Sequence, residues 1–121
     1  MMAEIVTTDE FVDWYGNLDD AGRMAVAHVV ELLERQGLSL GAPYSSALKG
    51  TKYALRELRS KRYGRALRVI YAYDEVRDAV LIIGGDKSGN KRFYKEIISQ
   101  AEAIWCKYVK EQRAGRQGRT R

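Results

Sequence analysis

The chain has 121 residues, 45% hydrophobic and 31% charged, which suits one soluble domain with a real core and excludes wholesale disorder. Its 21 Lys and Arg outnumber 16 Asp and Glu for a net charge of +5, and one Cys with one His excludes a disulfide framework, a cysteine-rich zinc site or a multi-histidine metal site. The longest apolar run, residues 79–83, is too short to span a membrane, and Met1-Met2-Ala3-Glu4 does not open a signal peptide, so a cytoplasmic protein is expected.

Residues 3–6 read as a short opening strand. Thr7 and Glu10 have capping-box spacing, and Phe11, Trp14, Tyr15 and Leu18 recur at i, i+3, i+4 and i+7, predicting a short amphipathic helix. Asn17-Leu18-Asp19-Asp20 reads as a turn, with Asp19 or Asp20 capping a second helix. That helix carries Val26, Val29, Val30 and Leu33 on one stripe and stops at Gly37. The short connection makes the two an antiparallel hairpin. Residues 41–50, with the only Pro, read as a loop.

Beyond the loop the period changes. Residues 53–59, 65–73 and 79–84 are runs rich in Val, Ile, Leu and Tyr, separated by turn-like residues 60–64 and 74–78, which predicts an antiparallel meander. Residues 84–90, Gly84-Gly85-Asp86-Lys87-Ser88-Gly89-Asn90, form a flexible loop that lacks the spacing of a nucleotide-binding P-loop. A final helix carries Tyr94, Ile97, Ile98, Ala101, Trp105 and Tyr108 on one stripe. Residues 1–112 are expected to form one domain and 113–121 a basic, frayed tail. The order is β-α-α-β-β-β-α: an α+β fold with a helical hairpin and a C-terminal helix packed on a small twisted, mainly antiparallel sheet, one face of which stays exposed.

Charge is unevenly distributed. Residues 1–48 carry −6, residues 49–92 carry +7 and residues 93–121 carry +4. A segment as basic as the second attracts polyanions through its summed field and through counterion release, although Lys and Arg also simply solvate sheet edges.

His28 sits beside an apolar helix stripe and reads as a half-buried structural residue. Cys106, between Trp105 and Tyr108 and without a base partner, reads as core or as an inert thiol. The cations carry more information: Arg56, Arg59, Arg65 and Arg68 on strands, then Lys87, Lys91 and Arg92 around the glycine loop. Arg68 lies among strand formers, on the face of Ala66, Ile70 and Ala72. It is either an edge charge that blocks aggregation or a fork for a phosphodiester. Tyr94 either belongs to the core stripe or turns its hydroxyl into a cleft beside the glycine loop. Tyr53, Tyr63, Tyr71 and Tyr73 add stacking surface for unstacked bases.

Four stretches in order, Leu55-Arg56-Glu57-Leu58-Arg59, Leu67-Arg68-Val69-Ile70-Tyr71-Ala72-Tyr73, Val80-Leu81-Ile82-Ile83-Gly84-Gly85-Asp86-Lys87 and Arg92-Phe93-Tyr94, resemble the phage-derived Gp49/HigB-like branch of the RelE/ParE toxin superfamily. The likeness runs from Ala3 to Val109, and the fold of that superfamily agrees with the order above. The resemblance implies a toxin of a type II toxin–antitoxin pair that cleaves mRNA in the ribosomal A site without a metal or other cofactor. In that chemistry the ribose 2′-OH attacks the adjacent phosphate, giving a 2′,3′-cyclic phosphate and a free 5′-OH.

Such chemistry needs cations for the phosphorane charge, a proton acceptor and a proton donor. The resemblance places Arg68, Arg59 and Lys87 in the first role, with Tyr94 at the start of the last helix. A basic position of the pattern is occupied here by Glu57, which either accepts a proton or pairs with an Arg; Asp86 is a second candidate. Arg56, Arg65, Lys91, Arg92, Lys49 and Lys52 would hold RNA around the centre. The implied partner is an antitoxin, a HigA-like helix-turn-helix protein. The alternatives on the same scaffold are a ParE-like inhibitor of DNA gyrase and an RNA- or ribosome-binding module without chemistry. The density of cations on one sheet favours the nuclease.

Overall fold

In the computed structural model the described residues are 2–119, excepting the side chains of Tyr63 and of residues 116–119. Strand β1 (Ile5–Thr7) runs directly into helix α1 (Asp9–Gly16), and Thr8 joins them. Its hydroxyl accepts from the Phe11 N–H at 3.0 Å and donates to the Ile82 carbonyl at 2.7 Å. The cap therefore falls one residue later than the Thr7–Glu10 spacing predicts, because Thr7 still belongs to the strand. Helix α2 (Asp20–Gln36) is capped by Asp19 and ends at Gly37, whose φ of 53° is open to glycine without a Cβ clash.

Four further strands follow: β2 (Ser45–Ala47), β3 (Arg56–Ser60), β4 (Leu67–Tyr73) and β5 (Ala79–Asp86). The sheet order is β1-β5-β4-β3-β2, with β1 parallel to β5 and every other pairing antiparallel. This is the expected α+β fold with one strand more. The addition, β2, lies in the segment read as a loop. Ser-Ser-Ala has little strand propensity of its own, and it is extended because it completes a ladder with β3, a case of tertiary pairing overriding local preference.

Alternation along the strands divides the core in two. Leu58, Val69, Tyr71 and Leu81 pack against Phe11, Val26, Val29 and Leu33 of α1 and α2. Ile70, Ala72, Val80 and Ile82 pack on the other side against Phe93, Ile97, Ala101 and Trp105 of the last helix, α3 (Phe93–Arg119). Helices thus lie on both faces, and the face expected to be exposed is largely roofed by α3. The helix continues past Arg113, through residues expected to fray; residues 120–121 of that expected tail lie outside the described residues.

The end of β5 is held by close approach. A Cβ on Gly84 would stand 2.2 Å from the Trp14 ring, and one on Gly85 would stand 2.8 Å from Phe93. The glycine pair that reads as the start of a flexible loop is in fact strand, clamped between α1 and α3. This clamp fixes the N-terminus of α3 beside β3 and the start of β4, where the charged side chains gather.

Candidate active site

Side chains alternate along β3, so Arg56, Leu58 and Ser60 turn toward α1 and α2 while Glu57 and Arg59 turn toward α3. On β4, Arg68 shares the α3 face with Ile70 and Ala72. Register sets Arg59 directly opposite Arg68. Like charges so placed repel, and Glu57 answers the repulsion. Its Oε1 lies 3.5 Å from Arg68 Nε and its Oε2 lies 3.4 Å from Arg59 Nη2. The Tyr94 hydroxyl, reaching down from the first turn of α3, donates to Glu57 Oε1 at 2.7 Å. Lys87, just after β5, holds its Nζ 5.5 Å from the centre of the Tyr94 ring, a cation–π distance.

Glu57, Arg59, Arg68, Lys87 and Tyr94 therefore converge on one end of the α3 face. Burial within the group is uneven. Glu57 and Arg68 are each 5% exposed, so the Arg that reads as an exposed strand charge is a buried one. Its Nη1 donates to the Leu67 carbonyl at 3.1 Å, while its buried Nε makes no hydrogen bond. Only the 3.5 Å ion pair with Glu57 faces that Nε–H, and a buried charged donor without a hydrogen bond is costly and suited to an incoming anion. Arg59 is steadied from β2 and the turn before it, donating to the Ser46 hydroxyl and, at 3.2 Å, to the Pro43 carbonyl. Burial first, then the carboxylate of Glu57, push the Tyr94 phenol above its ordinary pKa, so it keeps its proton at neutral pH.

The other cations are placed elsewhere. Arg56 faces α1 and α2, where Nε donates to Tyr71 at 3.2 Å and Nη2 to Ser45 at 3.2 Å. Arg65 forms a two-pronged pair with Asp19 at the cap of α2. Neither joins the cluster, and like parity with Leu58 explains Arg56. Lys91 and Arg92 are exposed just before α3, and Arg92 borders a shallow groove with Gly85 and Lys95. Lys49 and Lys52 are exposed in the β2–β3 connection, where the backbone N–H of Lys52 donates to Glu102 and its Nζ lies over Tyr53.

Asp86 is exposed and turned to Ser88, whose hydrogen bonds hold its carboxyl below the usual range. Tyr71 is fully buried among α1 and α2 contacts and Tyr73 lies on that same side, so neither offers a stacking face here; the side chain of Tyr63 is outside the described residues. His28 is half-buried and 6.4 Å from Tyr44, and Cys106 is also half-buried.

Ser46 and the Pro43 carbonyl escaped the sequence reading, since their role depends on β2. Among the described residues no cluster of His, Cys, Asp and Glu is arranged to hold a metal ion, and no helix is long and apolar enough to cross a membrane.

A sequence profile of phage-derived Gp49-like proteins matches residues 13–105. A Mycobacterium tuberculosis protein named "Putative toxin HigB3" is 35% identical over 91 residues, 74% of this chain and 78% of that protein. A second from the same organism, "Putative toxin HigB2", is 29% identical over 79% of this chain; the match spans only 49% of that longer relative. A crystal structure of a copper-bound mutant toxin from Helicobacter pylori aligns with a TM-score of 0.51 at 22% identity, covering 72% of this chain and 97% of that one. That likeness is one of fold.

Proposed function

The chain belongs to the phage-derived Gp49-like family, and from that premise and the site geometry we propose that it is the toxin of a type II toxin–antitoxin pair, an endoribonuclease acting without a metal on mRNA in the ribosomal A site. The observation that carries the reading is the Arg68 guanidinium: buried, beside a second Arg across the ladder, its Nε held only by a 3.5 Å ion pair with Glu57 and making no hydrogen bond. A scissile phosphodiester would offer the guanidinium better-aligned acceptors than this loose pair does. Arg68 and Arg59, with Lys87 at the rim, then face the charge that builds on the phosphorane.

The hydrogen bond from Tyr94 to Glu57 closes the proton ledger. Glu57 takes the proton of the 2′-OH as the new P–O2′ bond forms. Tyr94 gives its proton to the departing 5′ oxygen as the P–O5′ bond breaks, and Glu57 returns its proton to Tyr94. Products are a 2′,3′-cyclic phosphate and a 5′-OH, with the enzyme unchanged. A phenol held above its ordinary pKa still carries, at neutral pH, the proton that the leaving oxygen needs. Lys91, Arg92, Lys49 and Lys52 would extend the contact to flanking phosphates. The partner that silences the toxin would be a helix-turn-helix antitoxin of the HigA kind.

The test is end-group mapping of mRNA after incubation with programmed ribosomes. Fragments with 5′-OH and cyclic-phosphate ends are expected. Fragments with 5′-phosphate ends would overturn the 2′-OH route. Intact mRNA accompanied by trapped gyrase–DNA complexes would move the protein to the gyrase-directed reading. Ribosome binding without scission would leave a module with no chemistry.

A further inference from the structure

We propose that the groove between the open edge of β1 and helix α2 binds an extended, basic segment of a partner protein, which adds to the sheet as a further strand. The proposal stands apart from the nuclease reading, because this groove lies on the α1–α2 face at the sheet edge farthest from β3.

β1 ends the sheet and pairs only with β5. The Glu4 carbonyl accepts from Ala79 N–H at 2.8 Å, and Thr8 N–H donates to the Leu81 carbonyl at 3.1 Å. Backbone direction alternates along a strand, so Ile5 and Thr7 turn their N–H and C=O groups outward, to the open edge. Such an edge is a template for another strand. Three residues make a short template, so affinity has to come from side chains as well.

The groove supplies a place for them. It is a cleft of about 450 Å³ beside the edge, with Ile5 and Thr7 on one wall and Ala27 and Val30 of α2 on the other. It opens onto the apolar cluster of α1 and α2. Its rim is acidic: Glu31 and Glu34 of α2 border it, and the single cation there, Arg35, is already paired with Glu31 at 2.7 Å. Residues 1–48 as a whole carry −6 in a chain of net +5. A strand laid along β1 directs alternate side chains into the cleft and the others to solvent or rim. Complementarity therefore calls for apolar residues at every second position with Lys or Arg between them, the pattern of strand addition to an exposed edge.

The probe is a short synthetic peptide alternating valine and lysine, titrated into the full chain and followed by backbone amide shifts, with a valine–glutamate peptide of the same length as control. Saturable binding by the basic peptide is expected, with the largest shifts at Ile5, Thr7 and Val30, and none by the acidic one. Ala27→Arg, an exposed helix position, adds bulk and a like charge and is expected to weaken binding about tenfold or more without altering the melting temperature. Glu34→Lys provides a second variant with the same expected direction. Absence of saturable binding, equal binding by both peptides, shifts confined to the Glu57–Tyr94 face, or binding untouched by both substitutions would each overturn the proposal.

Discussion

Two arginine–carboxylate groupings in this molecule, one Arg with Asp19 and two Arg with Glu57, are built to opposite ends. Arg65 and Asp19 meet fork to fork at the cap of α2, exposed to solvent, with both carboxylate oxygens engaged. Asp19 also accepts from the Gly22 N–H at 3.0 Å, and Gly22 is small where Arg65 crosses it: a Cβ there would stand 2.8 Å from the guanidinium. Both arms of the Arg65 fork and both Asp19 oxygens have partners. Arg59 and Arg68 instead share one buried Glu57 at 3.4 and 3.5 Å, and the buried Arg68 Nε–H reaches no closer partner and makes no hydrogen bond. A completed pair braces a helix end. An incomplete one, held in low dielectric, retains binding capacity for something that arrives later.

The sharpest way to break this contrast is to remove Glu57. Glu57→Ala leaves the buried Arg68 guanidinium facing the half-buried one of Arg59 with no carboxylate between them, and the expected loss of folding stability is about 3–5 kcal/mol by chemical denaturation. Glu57→Gln keeps the Tyr94 hydrogen bond and shape, so a smaller loss is expected with the proton-acceptor function gone. If Glu57→Ala unfolds no more easily than the wild type, the carboxylate is not what reconciles the two arginines.

Arg68→Ala comes next. Glu57 retains Arg59 and Tyr94 as partners, so the fold should persist, while mRNA cleavage on ribosomes falls by about two orders of magnitude or more, or ~2.7 kcal/mol in transition-state terms. Arg68→Lys should not restore it, because a point charge lacks the fork. Normal cleavage by a folded Arg68→Ala protein would remove Arg68 from the chemistry and dissolve the distinction between the two groupings.

How much of this was legible before the structure follows from range in the sequence. Period-two alternation exposes β3, β4 and β5, and it also holds a signal that the charge count obscured. Arg56 and Arg59 are three residues apart, so they must face opposite ways, whereas Glu57 and Arg59 share a face. Parity alone therefore separates Arg56 from the cluster and brings Glu57 into it. The Arg65–Asp19 pair was not legible, since its members are 46 residues apart and a local pattern carries no trace of the contact. Neither was the support of Arg59 by Ser46, which exists only because β3 recruits a loop segment into β2. The burial of Arg68 was hidden for the same reason: α3 arrives from more than twenty residues away to roof it.

The smallest effect belongs to the completed pair, and its pH dependence carries the information. Hydrogen bonds from Arg65, reinforced by the Gly22 N–H, hold the Asp19 carboxyl far below the usual carboxylate range. A carboxyl depressed on folding contributes stability above its unfolded pKa, about 3.9, and loses it as pH falls below that value toward the folded pKa. Both groups are solvent-exposed, so the contribution at neutral pH is modest and screened by salt. Arg65→Ala should thus lower the melting temperature slightly near pH 7, less so at high salt, and the gap to wild type should close as the pH drops below about 3. The same titration applied to Arg59→Ala should show weaker salt screening, because its partner Glu57 is buried. Equal salt sensitivity in the two variants would mean that burial does not separate the pairs, and the reserve of binding capacity assigned to the Glu57 cluster would lose its physical basis.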